Sequence, residues 1–116
     1  MLDIETYRNY CIAKKGVIEE FPFDNETLVF KVCGKMFALS NVNNFRSINL
    51  KCDPEEAVDL RERYDAVQPG YHMNKQHWNT IIIDGSLPLK FLCEQIDNSY
   101  NLVVKSLPKK VRETLL

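Results

Sequence analysis

The residues best able to do chemistry are concentrated in one segment, residues 69–80, with the sequence PGYHMNKQHWNT. The segment contains both histidines and the tryptophan of the chain, together with a tyrosine, two asparagines and a lysine. Imidazoles ligate metals or transfer protons near neutral pH, and aromatic rings stack on planar ligands. Because hydrophobic runs flank the segment, we expect it to form a hairpin or tight loop that presents a binding surface.

A metal centre is one interpretation of this segment. His72 and His77 are five residues apart and would face each other if they flanked a hairpin tip. No nearby cysteine or carboxylate joins them in sequence, apart from Asp84 at the far end of the following strand. Catalytic zinc usually takes three protein ligands. We therefore expect hydrogen-bonded or surface histidines, no metal and no cofactor.

The cysteines and carboxylates predict no catalytic site. A reactive thiolate needs a neighbouring histidine or a helix N-terminus, and Cys52, which precedes a predicted helix, is followed at once by an acidic turn. The four cysteines include no Cys-x-x-Cys pair, so we expect reduced, mostly buried thiols. The chain has four glycines and no glycine-rich phosphate loop. The sequence therefore predicts a protein that is not an enzyme.

Length and charge limit the remaining possibilities. A chain of 116 residues with 45% hydrophobic content can form one domain, residues 1–116, around one core. Its net charge of −1 gives no overall attraction to nucleic acids or anionic membranes. No stretch approaches the roughly 20 apolar residues that span a bilayer, and charged residues interrupt any leader near the N-terminus. We expect a cytoplasmic monomer without membrane contact.

The pattern of apolar residues predicts both helices and strands. Helices are expected over residues 3–15, 54–64, 87–99 and 100–107, with a restart beyond Pro108. Asp3 and Asp53 are the expected N-caps of the first two. Strands are expected over residues 27–32, 35–42, 46–52, 66–73 and 77–83. The pattern thus predicts an α+β fold with two hairpins, whose tips are Cys33 with Gly34 and residues 74–76.

Basic residues accompany both predicted hairpin tips. Lys31 and Lys35 bracket the first tip, Lys75 and His77 belong to the second, and the C-terminal residues 105–112 are locally basic. Such tips can lie along phosphates, and aromatic side chains can stack on unpaired bases. Lysines at hairpin tips also keep sheet edges soluble, so the pattern alone leaves both interpretations open.

Four motifs, in this order along the chain, resemble the YjbR/MmcQ family of small bacterial proteins. They are FPFD at residues 21–24, VFKVCGKMFA at 29–38, NLKCDPE at 49–55, and PGYHMNK with HWNT at 69–75 and 77–80. The resemblance covers nearly the entire chain. It implies a CyaY-like (frataxin-like) antiparallel sheet of about five strands, with helices packed on one side. It also implies a double-wing arrangement, in which two β-hairpins project, and DNA binding.

Two hypotheses about function follow. In the first, a non-enzymatic DNA-binding protein uses two hairpin wings to contact the nucleic-acid backbone, through Lys31, Lys35, Lys51, Lys75 and His77, with hydrogen bonds from Asn74, Gln76 and Asn79. In the alternative, a protein or small-ligand interaction module has a pocket around Tyr71, His72, His77 and Trp78.

Overall fold

One antiparallel sheet with helices on one of its faces forms the fold, which is α+β as predicted. The structure is a computed structural model that describes residues 1–71 and 73–116. Within them, the strands are β1 (Val17–Glu20), β2 (Thr27–Val32), β3 (Lys35–Asn41), β4 (Ser47–Lys51), β5 (Val67–Pro69) and β6 (Trp78–Ile82), in the spatial order β1-β2-β3-β4-β6-β5. The helices are α1 (Ile4–Ile12), α2 (Pro54–Arg63), α3 (Leu89–Ser106) and α4 (Lys109–Glu113).

The described part of the sheet has one strand more than the five predicted from the sequence. The additional strand is β1, at the edge of the sheet, which pairs with β2 from Val17 opposite Val32 to Glu20 opposite Val29. Two consecutive glutamates disfavour a strand locally. Here Glu19 forms an ion pair with Arg8 of α1, and Glu20 forms one with Lys31 of β2. Tertiary pairing therefore determines the conformation of this segment.

The first predicted hairpin is confirmed and the second is shorter than predicted. Cys33 and Gly34, with φ angles of 50° and 84°, make the turn between β2 and β3. Positive φ at both central residues is typical of the type I′ turn, whose twist matches that of the flanking strands. In the second hairpin, β5 ends at Pro69 and β6 begins at Trp78, and the described residues between them, 70–71 and 73–77, belong to a long connecting loop.

Local capping signals correctly predicted the starts of α1 and α2. The Asp3 carboxylate accepts a hydrogen bond from the Thr6 N–H at 2.7 Å, and the Asp53 carboxylate accepts one from the Glu56 N–H at 3.3 Å. The prediction of two helices over residues 87–107 was wrong, because α3 continues without a break. Its buried positions recur at helical spacing along the whole length: Leu92, Ile96, Ser99 and Val103.

The helices and one face of the sheet enclose the main core. Fully buried side chains in it include Tyr7 of α1, Phe30 of β2, Ile48 of β4 and Ile96 of α3. Burial of these apolar surfaces is the main favourable contribution to folding. None of the described helices is long and apolar enough to cross a membrane.

A second, smaller cluster lies on the opposite face of the sheet. It consists of Val29, Leu39 and Trp78, with Met36 and Met73 packed against them. Successive side chains of a strand point to opposite faces, so Val29 points away from the helices while its neighbours Leu28 and Phe30 point toward them. We call this helix-free side the open face.

Candidate functional site

The centre of the open face is a row of cross-strand neighbours that changes from apolar to polar. Val29 pairs with Leu39, Leu39 with Asn49, and Asn49 with Thr80, so the row crosses β2, β3, β4 and β6. The Thr80 hydroxyl donates to Asn49 Oδ1 and accepts from the Tyr71 N–H at 2.9 Å. These bonds fix the side chain of Asn49 and attach the loop at residues 70–77 to the sheet.

Two cavities occupy the open face, and Phe23 lines both of them. The basic cavity, of about 520 Å³, is lined among others by Phe23, Lys31, Lys35, Met36, Lys51 and Trp78. The amide cavity, of about 560 Å³, is lined among others by Phe23, Asn41, Ser47, Asn49, Tyr71 and Met73. The volume of the amide cavity lies in the range of sites that bind small ligands, whereas the basic cavity is more open to solvent. The two cavities therefore form neighbouring parts of one candidate site.

Three lysines from three strands meet at the basic cavity. Lys31 forms an ion pair with Glu20, which partly neutralises it. Lys35 is exposed and Lys51 is half-buried, and neither forms an ion pair within the described residues. Lys51 is the cross-strand neighbour of Trp78, so a cation lies beside a large aromatic side chain. This arrangement favours an anion attached to an apolar or aromatic group.

The backbone at Lys51 is held by Ser99 of α3, a fully buried residue that sequence analysis missed. Ser99 Oγ accepts from the Lys51 N–H at 2.9 Å and donates to the Phe37 carbonyl oxygen at 2.6 Å. The pairing of β3 with β4 reaches only to Ala38 opposite Leu50. Ser99 therefore satisfies two backbone groups at the point where these strands separate. Its one sequence signal is a serine among the apolar positions of α3.

Arg61 of α2 fixes the loop at residues 70–77. Its Nη2 donates to the Lys75 carbonyl and, at 3.2 Å, to the Trp78 carbonyl. Gly70 packs against the start of β6, where a Cβ would stand 2.8 Å from both the Cβ and the carbonyl oxygen of Trp78. The loop thus depends on a glycine for close approach and on an arginine for its hydrogen bonds.

The prediction that Asn79 contacts nucleic acid was wrong. Its side chain is 2% exposed and points to the helix-covered face. Asn79 Oδ1 accepts from Arg61 Nε at 2.6 Å, and Nδ2 donates to the Ala57 carbonyl at 3.4 Å. The strand alternation places Thr80, one residue later, on the open face instead.

The other predicted contacts of the second hairpin lie outside both cavities. Lys75 Nζ donates to the Gly70 carbonyl at 3.0 Å, and Asn74 Oδ1 accepts from the Gln76 N–H at 2.9 Å. Half-buried His77 accepts through its carbonyl from the Cys52 N–H at 2.7 Å, immediately before the acidic first turn of α2. The structure thus brings together Lys31, Lys35 and Lys51, but does not add this loop to them.

The residues of the alternative pocket are divided between the two cavities. Tyr71, 70% exposed, lines the amide cavity, whereas Trp78, 7% exposed, lines the basic cavity. His77 lines neither cavity, and His72 lies outside the described residues. Of the three described residues of this predicted pocket, Tyr71 and Trp78 therefore line different cavities, which share Phe23.

The cysteines are free thiols, and two of them, Cys11 and Cys52, are buried. Burial raises the pKa of the Cys11 thiol to about 12. Burial, with the nearby carboxylates of Glu56 and Asp53, raises the pKa of Cys52 to about 11. Cys33, in contrast, is exposed at the first hairpin turn. Within residues 1–71 and 73–116, no group of three or more histidine, cysteine or carboxylate side chains is placed to hold a metal ion.

Comparison with known proteins establishes the family. The family model described as YjbR matches residues 12–102. The chain belongs to the YjbR family. Protein YjbR of Escherichia coli K12 is 35% identical over 116 residues, covering 99% of this chain and 98% of the relative. Protein YbdF of Escherichia coli O157:H7 is 40% identical over 107 residues, covering 91% of this chain and 88% of the relative.

Solved structures of similar proteins share the architecture of this YjbR-family chain. A Deinococcus radiodurans protein of the domain family DUF419 is 39% identical, with a TM-score of 0.91, covering 99% of this chain and 88% of that protein. A Pseudomonas syringae protein is 27% identical, with a TM-score of 0.74, covering 87% of this chain and 98% of that protein. The family membership predicted from the four sequence motifs is therefore confirmed.

Proposed function

We propose that this protein is a non-enzymatic DNA-binding protein whose basic cavity contacts the sugar-phosphate backbone. The observation that carries the proposal is the convergence of Lys31, Lys35 and Lys51, from three strands, beside Phe23 and Trp78. Lysine ammonium groups bind phosphate oxygens, and the accompanying release of counterions supplies much of the affinity of such proteins for nucleic acid. The exposed ring of Phe23 beside them adds stacking surface.

Local charge supports this function better than the net charge of −1 does. Lys35 and Lys51 have no carboxylate partner among the described residues, so a phosphate does not have to displace one. Lys31 is held by Glu20 and contributes less. Ser99 fixes the backbone of Lys51 before any ligand arrives, which lowers the entropy cost of binding.

In this function the first hairpin makes the main contact with DNA, and the second hairpin makes a secondary one. His77 lies beside the acidic start of α2, which opposes phosphate approach there, and Lys75 Nζ already donates to the Gly70 carbonyl. The double-wing description and the CyaY-like classification remain parts of the proposal. We also propose a cytoplasmic monomer, since free thiols suit a reducing compartment.

Fluorescence anisotropy with a labelled oligonucleotide, titrated at several salt concentrations, tests this function. The wild type should bind with a slope of log K against log salt of about −2 to −3, from roughly three phosphate contacts. Lys35→Ala and Lys51→Ala should each weaken binding and make the slope shallower by about one unit. Lys90→Ala, which removes an exposed lysine of α3, is the matched control and should change neither the affinity nor the slope. Absence of salt-sensitive binding at micromolar protein would refute the proposal.

A small-ligand interaction module is the second candidate function. It is favoured by the amide cavity, whose rim carries the exposed rings of Phe23 and Tyr71. A ligand that binds the native state raises its melting temperature by mass action. A thermal-shift screen that stabilises the protein with a compound lacking phosphate, combined with no binding of oligonucleotides, would favour this candidate.

A further inference from the structure

The amide cavity has the features of a site for a flat, hydrogen-bonding ring. Phe23 is 64% exposed and Tyr71 is 70% exposed, and both line this cavity. Large aromatic side chains on connecting loops that border a cavity are typical of binding surfaces. Leu39 and Met73 contribute apolar lining between these two loops. The cavity therefore offers stacking surface as well as polar groups.

The polar groups of this cavity are oriented by bonds to the protein itself. Asn49 Oδ1 accepts from the Thr80 hydroxyl, which leaves Nδ2 as a donor without a partner among the described residues. Asn41 Oδ1 accepts from the N–H groups of Asn43 and Asn44, both at 2.9 Å. Nδ2 of Asn41 is likewise left as a donor without a partner among the described residues. Amide N–H groups fixed in this way match the carbonyl and ring-nitrogen acceptors on the edges of nucleobases.

The two cavities differ in charge, and this difference determines the orientation of a ligand that carries phosphate at one end. Asp24 lines the amide cavity, and hydrogen bonds from the backbone N–H groups of Glu26 and Thr27 lower the pKa of its carboxyl. The carboxylate therefore stays ionised and disfavours phosphate at this end. The lysines of the basic cavity attract phosphate at the other end. Phe23 lies between the two ends and lines both.

We propose that the open face binds single-stranded DNA, with an unpaired base in the amide cavity and the adjoining phosphates at the basic cavity. This inference rests on the proposed function and specifies its ligand. A base paired within a duplex has both of its faces stacked and its Watson–Crick edge occupied, so it cannot enter a cavity between two protein loops. Sheet faces that carry exposed aromatic side chains are a recurrent means of binding single strands.

Three labelled probes of equal length test the inference on the unmodified protein: a thymidine single strand, a strand with the same phosphates but abasic sugars, and a duplex. The thymidine strand should bind about tenfold more tightly than either of the others, since stacking of one base contributes about that factor. Phe23→Ala and Asn49→Ala should remove this preference. Val58→Ala, an exposed apolar residue of α2, and Asn98→Ala, an exposed amide of α3, should leave it intact.

The outcomes separate this inference from the function on which it rests. If abasic or duplex probes bind as tightly as the thymidine strand, with a normal salt dependence, the single-strand inference fails and DNA binding stands. If no probe binds, both fail. Retention of the full preference by Phe23→Ala and Asn49→Ala would overturn the assigned cavity. Phe23 lies on an exposed loop, so its variant should fold even if Asn49→Ala does not.

Discussion

The buried hydroxyl of Ser99 joins three elements of the protein at one point. It bonds the Lys51 N–H of β4 and the Phe37 carbonyl of β3 from its position on α3. Water cannot replace it, because the residue is fully buried. Ser99 therefore links the main core to the backbone that presents a lysine of the basic cavity.

Replacing Ser99 with alanine should lower the free energy of unfolding by about 1–3 kcal/mol, because two buried backbone groups lose their partner. Urea denaturation should give a lower midpoint with an unchanged m-value. Ser106→Ala is a suitable control, since its hydroxyl bonds a carbonyl near the exposed end of α3. It should shift stability by no more than about 0.5 kcal/mol. Equal midpoints for wild type and Ser99→Ala would contradict this role.

At the scale of elements, the turn between β2 and β3 contains one residue that suits its left-handed backbone conformation and one that does not. Gly34 adopts its φ of 84° without steric cost, whereas Cys33 at 50° carries a Cβ into the left-handed region. The strand pairing on either side enforces this conformation. The hairpin that presents Lys31 and Lys35 therefore contains a small local strain that substitution can change in either direction.

Cys33→Asn should stabilise the protein by on the order of 0.5–1 kcal/mol, because asparagine tolerates left-handed backbone and Asn-Gly is a preferred type I′ sequence. Cys33→Val should destabilise it, because β-branched residues are disfavoured at positive φ. Chemical denaturation of the two variants measures the opposite signs. A loss of stability in Cys33→Asn would mean that the thiol makes a favourable contribution that outweighs the strain.

Elements with local signals were predictable from the sequence, and those fixed by pairing were not. The caps at Asp3 and Asp53 act within one helical turn, so the sequence alone indicates them. The strand β1 depends on its pairing with β2, from Val17 opposite Val32 to Glu20 opposite Val29, which no local signal indicates. The face assigned to Asn79 depends on strand register, where a shift of one residue reverses the outcome.

The candidate site was predicted in part for the same reason. Lys31 and Lys35 lie next to a recognisable turn, and their meeting with Lys51 follows from the order of three consecutive strands. Phe23 and Asn49 were missed because they become neighbours of the site only through the overall pairing of the sheet. A motif indicates which residues are present, whereas register determines which of them share a surface.

At the scale of the whole molecule, basic residues gather on the open face near the first hairpin turn, where Lys31, Lys35 and Lys51 line one cavity. A net charge of −1 thus conceals an uneven distribution, and such local fields influence association with charged partners.

This distribution predicts unequal roles for the two hairpins. Lys35→Ala should make the salt dependence of DNA binding shallower by about 0.7–0.9 units, the value for one lost phosphate contact. Lys75→Ala removes the same charge from the second loop, where Nζ donates to the Gly70 carbonyl and does not line the basic cavity, so the slope should not change. Parallel anisotropy titrations of both variants and of Lys90→Ala measure the difference. An equal loss of salt dependence in Lys35→Ala and Lys75→Ala would instead support two equivalent wings. Lys75 contributes to counterion release only if it contacts a phosphate.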